Sequence, residues 1–258
     1  MTHSANGLDA PATAEDLLTL YLSFGKALSE EASHGTSAAA AAITRLSVKT
    51  VPGVEQASIS EGRAGRFRTL TSTGPMATAG DQIQYHLRSG PCVDALTDDV
   101  VYRSGDISRD QRWPEFGRRA TAETGALSML SIRLFLEDDG DHTTGLNMYS
   151  TAPAAFGDTA QNIASLLAAY SAHVLKTVQA REKAANLEKA LDSNREIGTA
   201  MGILMATHKI ARTDAFELLR VASQHTNRKL IDIATTVVDT GTLGLDVGDL
   251  SDSANARK

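Results

Sequence analysis

All six prolines of this 258-residue chain fall at or before Pro153, and the strand-like alternation of its first half stops there too. Proline removes a backbone donor and clashes with the preceding helical turn, so long helices require stretches without it. From Phe156 the chain reads as helix to about His208, with Ile163, Leu166, Leu167, Tyr170, Val174, Leu175, Val178, Leu187 and Leu191 along it. The steps of three and four residues suit a helix that first packs on a domain and then leaves it. One uniform fold cannot satisfy both halves; a layered domain followed by a helical one can.

The first half carries the layered signals. Residues 1–13 read as a polar, disordered tail. Leu17, Leu20, Tyr21, Phe24 and Leu28 then mark one buried stripe of a helix over 14–29, and an Ala-rich second helix ends before Val51-Pro52-Gly53. Residues 55–74 alternate and turn on glycines like a strand–turn–strand pair. A short helix over 79–88 closes at Ser89-Gly90-Pro91, and a strand surrounds Val100-Val101-Tyr102. Pro114 suits the first turn of a further helix. Two strands then flank the Asp/Gly/Thr-rich turn at 138–145. Helices and antiparallel strands in this order make an α+β layered domain, and without strict βαβ alternation a doubly wound sheet is excluded.

Composition excludes several functions. Cys92 is the one cysteine, so neither an intramolecular disulfide nor a Cys-rich zinc site can form. No apolar run reaches the length of a membrane span, and the N-terminus lacks the basic start and apolar run of a secretory signal. A cytoplasmic protein is expected. The net charge of −6 argues against a chain that coats nucleic acid over its whole surface. Charge is nevertheless uneven. Arg195, Lys209, Arg212, Arg220, Arg228 and Lys229 outnumber Glu196, Asp214 and Glu217 between 195 and 231, whereas residues 244–258 form an acidic tail. Such a face fits selective nucleic-acid binding or a merely solvated helix.

Around residues 183–205, Leu187, Leu191, Asn194, Gly198, Met201 and Met205 alternate steps of four and three, the spacing of a short coiled-coil seam that would pair two chains. Three helices are expected from here. Thr213 is placed as N-cap of the second, with Phe216, Leu219 and Ala222 facing inward. Asn227 is placed as cap of the third, whose Leu230, Ile233, Ala234, Val237 and Val238 face inward and which ends at Gly241. Ala200 and Gly202 are read as small residues that admit a neighbouring helix, so a bulky residue at Gly202 should cost stability.

The run Ala200-Met201-Gly202-Ile203-Leu204-Met205, the step Ala215-x-x-x-Leu219-Arg220 and the segment Asn227-Arg228-Lys229-Leu230-Ile231-Asp232-Ile233-Ala234 resemble the ANTAR family of RNA-binding transcription-antitermination domains. The resemblance implies dimers that bind paired RNA stem-loops and alter terminator formation or ribosome access. Phe216 is the one aromatic beyond residue 194, and assigning it to the core leaves no ring for base stacking. Recognition would then fall to phosphate contacts and hydrogen bonds from Arg195, Lys209, Arg220, Asn227, Arg228 and Lys229.

Upstream, Asp81-Gln82-Ile83-Gln84-Tyr85, Ser89-Gly90-Pro91-Cys92-Val93-Asp94-Ala95-Leu96, Gly105-Asp106-Ile107 and Arg112-Trp113-Pro114-Glu115-Phe116 resemble GAF domains. The likeness is to the kind fused to ANTAR modules in actinobacteria, and Ser128–Ile132 and Gly145–Ser150 extend it. Tyr85, Cys92, Asp106 and Trp113 are the candidate lining of a sensor pocket for an unidentified small molecule. Cys92 has two readings: a thiol of lowered pKa at a helix start, or a small buried hydrophobe. GAF enzymes that reduce methionine sulfoxide use several cysteines, and this chain has one. His86, His142 and His173 lack ligand spacing, with His142 read as solvated in its turn. Asp138, Asp139 and Asp141 lack the following Glu of a calcium loop. No metal, cofactor or catalytic set is expected.

The expected organisation is thus a tail (1–13), a GAF-like antiparallel sheet flanked by helices (14–178), a linking coiled-coil helix (179–194), an all-α three-helix ANTAR-like module (195–243) and an acidic tail (244–258). The expected function is a non-enzymatic, signal-responsive regulator acting on structured RNA, as a homodimer without membrane attachment. The alternative is a DNA-binding transcription regulator with a GAF sensor, since small basic helical units also read DNA.

Overall fold

Alternation along the strands decides which helices each face of the sheet can hold. In a computed structural model that describes residues 14–97, 100–136 and 142–243, the chain opens with α1 (Ala14–Ala32) and α2 (Thr36–Thr50). The hairpin β1 (Gln56–Arg63) and β2 (Arg66–Ser72) follows, then α3 (Pro75–Leu87), α4 (Pro91–Thr97) and β3 (Val101–Ser104). After these come α5 (Pro114–Thr124), β4 (Ser128–Leu136), β5 (His142–Ser150), α6 (Asp158–His208), α7 (Arg212–Thr226) and α8 (Leu230–Thr240). Both expected tails and the Asp138, Asp139 and Asp141 turn lie outside the described residues, as do the side chains of Leu17 and Leu20.

The chain divides into two compact units, Met1–Glu182 and Lys183–Lys258, and α6 contributes residues to both. In the first unit the five strands are antiparallel in the order β2-β1-β5-β4-β3. One face presents Ala57, Ile59, Leu130, Ile132, Leu146 and Met148 to Phe24 and Leu28 of α1, Ile43 of α2, and Leu167 and Leu175 of α6. The other presents Met129 and Tyr149 to Ile83 of α3, Cys92 and Leu96 of α4, and Trp113 and Phe116 at α5. Cover on both faces explains why β5 is buried almost throughout. This is the α+β, GAF-like arrangement.

Local chemistry fixes the ends of these elements. Ala64 and Gly65 both have positive φ (48° and 72°), the two-residue turn whose twist matches a tight hairpin. Proline opens α3, α4 and α5, so α3 begins at Pro75, ahead of the position expected from its periodicity. The Gly90-Pro91 break is a corner between two helices. Gly35 gives α2 no capping side chain; Glu182 of α6 supplies it, accepting bonds from the Thr36 amide and hydroxyl, each at 2.8 Å.

In the second unit, Ala200 and Leu204 of α6, Ala215, Leu219 and Ala222 of α7, and Ile233, Ala234 and Val237 of α8 form one buried cluster with Leu243. Its alanines let the helices approach closely. Gly241 ends α8 with φ 76°, in the C-terminal role expected of it. Among the described residues, no helix is long and apolar enough to cross a membrane.

Candidate nucleic-acid interface and buried polar cluster

Two turns position the basic residues of the second unit. Lys209 and Asn227 both adopt left-handed conformations with φ 52°, one after α6 and one after α7. Asn tolerates that conformation better than most side chains. Asn227 is therefore the C-terminal cap of α7, not a cap of the third helix; α8 starts after Lys229 and has no side-chain cap. The Arg228 amide donates to the Ser223 carbonyl (3.2 Å), and the Ser223 hydroxyl donates to the Arg228 carbonyl (2.6 Å). Nor does Thr213 cap α7: the helix begins two residues earlier than expected, and Ala211 occupies the cap position.

The structure gathers Asn227, Arg228 and Lys229 into this one exposed connection. Lys209 stands at the opposite end of α7, which at 1.5 Å per residue spans about 22 Å. Arg220 lies between them, ion-paired with Glu217 (Nε to Oε2 2.8 Å), and Arg195 is exposed on α6. Arg228 reaches the Asp232 carbonyl (3.3 Å) and the Thr236 hydroxyl (3.1 Å). The six candidates form no single patch.

Three assignments in the second unit are corrected. Phe216 is 41% exposed, because Ala215, one position earlier, joins Leu219 and Ala222 in the core. The interior has room for a methyl group there but not for a ring. Gly202 admits no helix: a Cβ there would meet nothing within 4 Å, and Ala200 makes the close approach instead. Met201 is buried and Met205 packs against the same cluster, so these seam residues serve their own unit. Leu187 and Leu191 remain 58% and 68% exposed. Sequence reasoning missed Arg212, exposed four residues before Phe216; that spacing was the available signal.

In the first unit, strand positions opposite α3 hold polar side chains. Asp81 is completely buried and accepts bonds from Tyr149 (2.7 Å), Thr69 (2.8 Å) and the Asn147 amide (3.0 Å). Asn147 also donates to Ser60 (2.8 Å) and accepts from Ser131 (3.0 Å). Tyr85 donates to Ser60 (2.6 Å), Gln84 donates to the Tyr149 hydroxyl (3.0 Å), and the Cys92 amide donates to Gln84 (2.7 Å). Gly80 permits this closure, since a Cβ there would lie 2.7 Å from the Tyr149 ring.

Burial holds the Asp81 carboxyl above its usual range, against the opposing pull of its donors. Burial, with the Asp81 charge second, pushes the Tyr85 and Tyr149 hydroxyls up as well. The same two causes push the Cys92 thiol up to about 12. Of the two readings of Cys92, its environment fits the small buried side chain: it is enclosed, 3.2 Å from the Asn147 amide.

Of the four sensor candidates, the structure brings Tyr85 and Cys92 together in this cluster. Trp113 is buried nearby, donating to Asp94 (2.7 Å), while Asp106 sits apart in a loop, accepting from Ser108. Asp81, Asn147 and Tyr149 were missed; a polar residue between Leu146 and Met148 in a central strand was the signal. His142 is not solvated as expected but half-buried against Glu61, 2.5 Å away.

Comparison with known proteins follows this division. Residues 185–238 match the ANTAR domain family. No curated protein matches the chain. Among solved structures, a free methionine-R-sulfoxide reductase from Neisseria meningitidis is similar at 14% identity and TM-score 0.50, over 69% of this chain and 98% of that one. A bacteriophytochrome from R. palustris is similar at 10% identity and TM-score 0.53, over 75% and 44%. The GAF domain of an Acinetobacter phosphoenolpyruvate-protein phosphotransferase has 13% identity and TM-score 0.49, over 65% and 97%. At such identities the likeness concerns the fold alone.

Proposed function

We propose that this chain, a GAF-like unit followed by an ANTAR domain, is a signal-responsive, non-enzymatic regulator that binds structured RNA in the cytoplasm as a homodimer. It would act on transcription antitermination or translation. The observation that carries this reading is the ANTAR match over residues 185–238, in a segment whose Arg195, Lys209, Arg212 and Lys229 make no ion pair among the described residues. Unpaired cations are available to phosphates, and neutralising phosphates supplies the salt-dependent part of RNA affinity. Arg195, Lys209, Arg220, Asn227, Arg228 and Lys229 are the proposed contacts.

Dimerisation is supported by the stretch of α6 at 183–192, exposed all round with Leu187 and Leu191 outward. A helix without tertiary contacts is marginal in water, and a second copy would cover these leucines. The GAF-like unit is proposed as the sensor. Its polar cluster around Asp81 is filled by its own side chains, so a ligand there would have to displace them. Methionine sulfoxide reduction of the kind named for the Neisseria protein, were it to use a thiol, is disfavoured, because the one cysteine is buried and its thiol is pushed up to about 12.

Binding of the full chain to tandem RNA stem-loops, to the same RNA with scrambled loops and to duplex DNA, measured across salt, tests the proposal. Loop-dependent RNA binding is expected. Preference for duplex DNA would overturn it in favour of a DNA-binding regulator.

A further inference from the structure

Phe216 occupies a face that the fold leaves open. Residues four apart share a helix face, so Arg212, Phe216 and Arg220 form one stripe along α7. The ring borders a groove of ≈500 Å³ whose other walls include Ile197, Gly198 and Met201 of α6 and Thr213 of α7, with Arg212 at its edge. No carboxylate lines this groove.

Its floor adds an independent observation. A Cβ built at Gly198 meets nothing within 4 Å. Glycine weakens a helix interior relative to alanine, and here no neighbour in the chain requires it. A half-exposed ring over an open floor, with a cation at the rim, suits a flat guest attached to an anionic backbone.

We propose that this groove is a nucleobase-stacking site. An unpaired base of an RNA loop lies against the Phe216 ring above Gly198, and Arg212 and Arg220 engage the flanking phosphates. The inference rests on the RNA-binding reading above and adds the ring contact that a core assignment of Phe216 had ruled out. Stacking asks only for the π-face that every base presents, so a single ring suffices. Arg220 already holds Glu217, whereas Arg212 has no partner among the described residues and meets a phosphate first. The cationic rim favours a polyanion over an apolar segment of a second copy.

The test uses the full chain and tandem RNA stem-loops selected by the wild-type protein from a pool with randomised loops. Phe216→Tyr should bind like wild type. Phe216→Leu and Phe216→Ala should bind about ten- to one-hundred-fold more weakly, the range expected for losing one base–aromatic stack, with an unchanged salt slope. Arg212→Gln should instead flatten that slope by about one contact. Gly198→Ala should raise Tm and weaken binding together, a combination that a folding defect cannot produce. An abasic nucleotide at the stacked loop position should abolish the difference between wild type and Phe216→Ala.

Equal binding by wild type and Phe216→Leu would overturn the stacking site and leave the RNA reading intact. Dissociation of an oligomer by Phe216→Ala, seen by light scattering, would overturn it in favour of a contact between copies. A wild-type chain that selects no stem-loop would overturn both readings.

Discussion

The two units dispose of their polar groups in opposite ways. In the first, Arg45, Arg68, Arg103, Arg112, Arg118 and Arg119 each reach a carboxylate, and Asp81, Asn147 and Tyr149 satisfy one another in the interior. In the second, Arg220 alone among the described cations holds a carboxylate partner, and the interior is apolar. Exposed pairs add little stability, so the difference concerns availability more than strength. The first unit also leaves Lys26, Lys49, Arg63, Arg66 and Arg88 without an ion pair among the described residues, but it holds most of its arginines against carboxylates and so presents fewer free handles in proportion. A unit that leaves cations and one aromatic ring unpartnered presents several. Substitutions should therefore act on stability in the first unit and on binding in the second.

The largest effect is expected where the second unit would recruit another copy. Replacing Leu187 and Leu191 with Ser should convert a dimer to a monomer by light scattering. Affinity for tandem stem-loops should fall by about two to four orders of magnitude as avidity is lost. A dimer that survives would place the pairing surface elsewhere. Next comes Asn147→Leu, which removes the amide that donates to both Ser60 and Asp81. Leaving a buried carboxyl short of a donor should cost about 3 kcal/mol, read as a lower midpoint in urea. A cost below about 1 kcal/mol would mean that the cluster is not the structural core described.

These cases show where the sequence was legible. Periodicity located the helices and strands, because burial of a stripe or an alternate face imposes a spacing that local residues must obey. It could not assign Phe216, since Phe216 and Ala215 are neighbours and the choice depends on how closely α6 and α8 approach. Asn227 could serve as a cap on either side of the chain reversal, and only its φ of 52° decides. Gly202 is small, yet smallness does not say whether a neighbour is present. The Asp81 cluster joins side chains from β1, β2, α3 and β5, a convergence that follows from sheet order and no single motif.

Smaller effects refine the same contrast. Glu at both Arg228 and Lys229 should weaken RNA binding at least about tenfold and flatten its salt dependence by about two contacts. Loss of helicity by circular dichroism would instead assign Arg228 to the turn it supports through Thr236. Asp81→Asn imitates the protonated carboxyl. Because burial raises the folded-state pKa of Asp81, the folded chain binds more protons than the unfolded one between the two values. Stability from this group is therefore full below the unfolded value and lost as pH rises toward the folded one. The Tm of Asp81→Asn relative to wild type should improve between pH 4 and pH 8; a constant difference would show that Asp81 stays ionised throughout.

The smallest predicted change separates packing from exposure within the second unit itself. Were Gly202 a contact between helices, any added side chain would overpack the interface and lower stability. The space above it is open, with no atom within 4 Å of a Cβ placed there. Gly202→Ala should then act only on the backbone, by restricting the unfolded chain and favouring the helix, a gain of about 0.5–1 kcal/mol. Gly202→Leu should be tolerated for the same reason, whereas Ala200→Leu, at a fully buried site, should destabilise by about 1–3 kcal/mol through overpacking. Chemical denaturation of the three variants reads all of this. A stability loss at Gly202→Ala with none at Ala200→Leu would reverse which of the two residues admits the neighbouring helix.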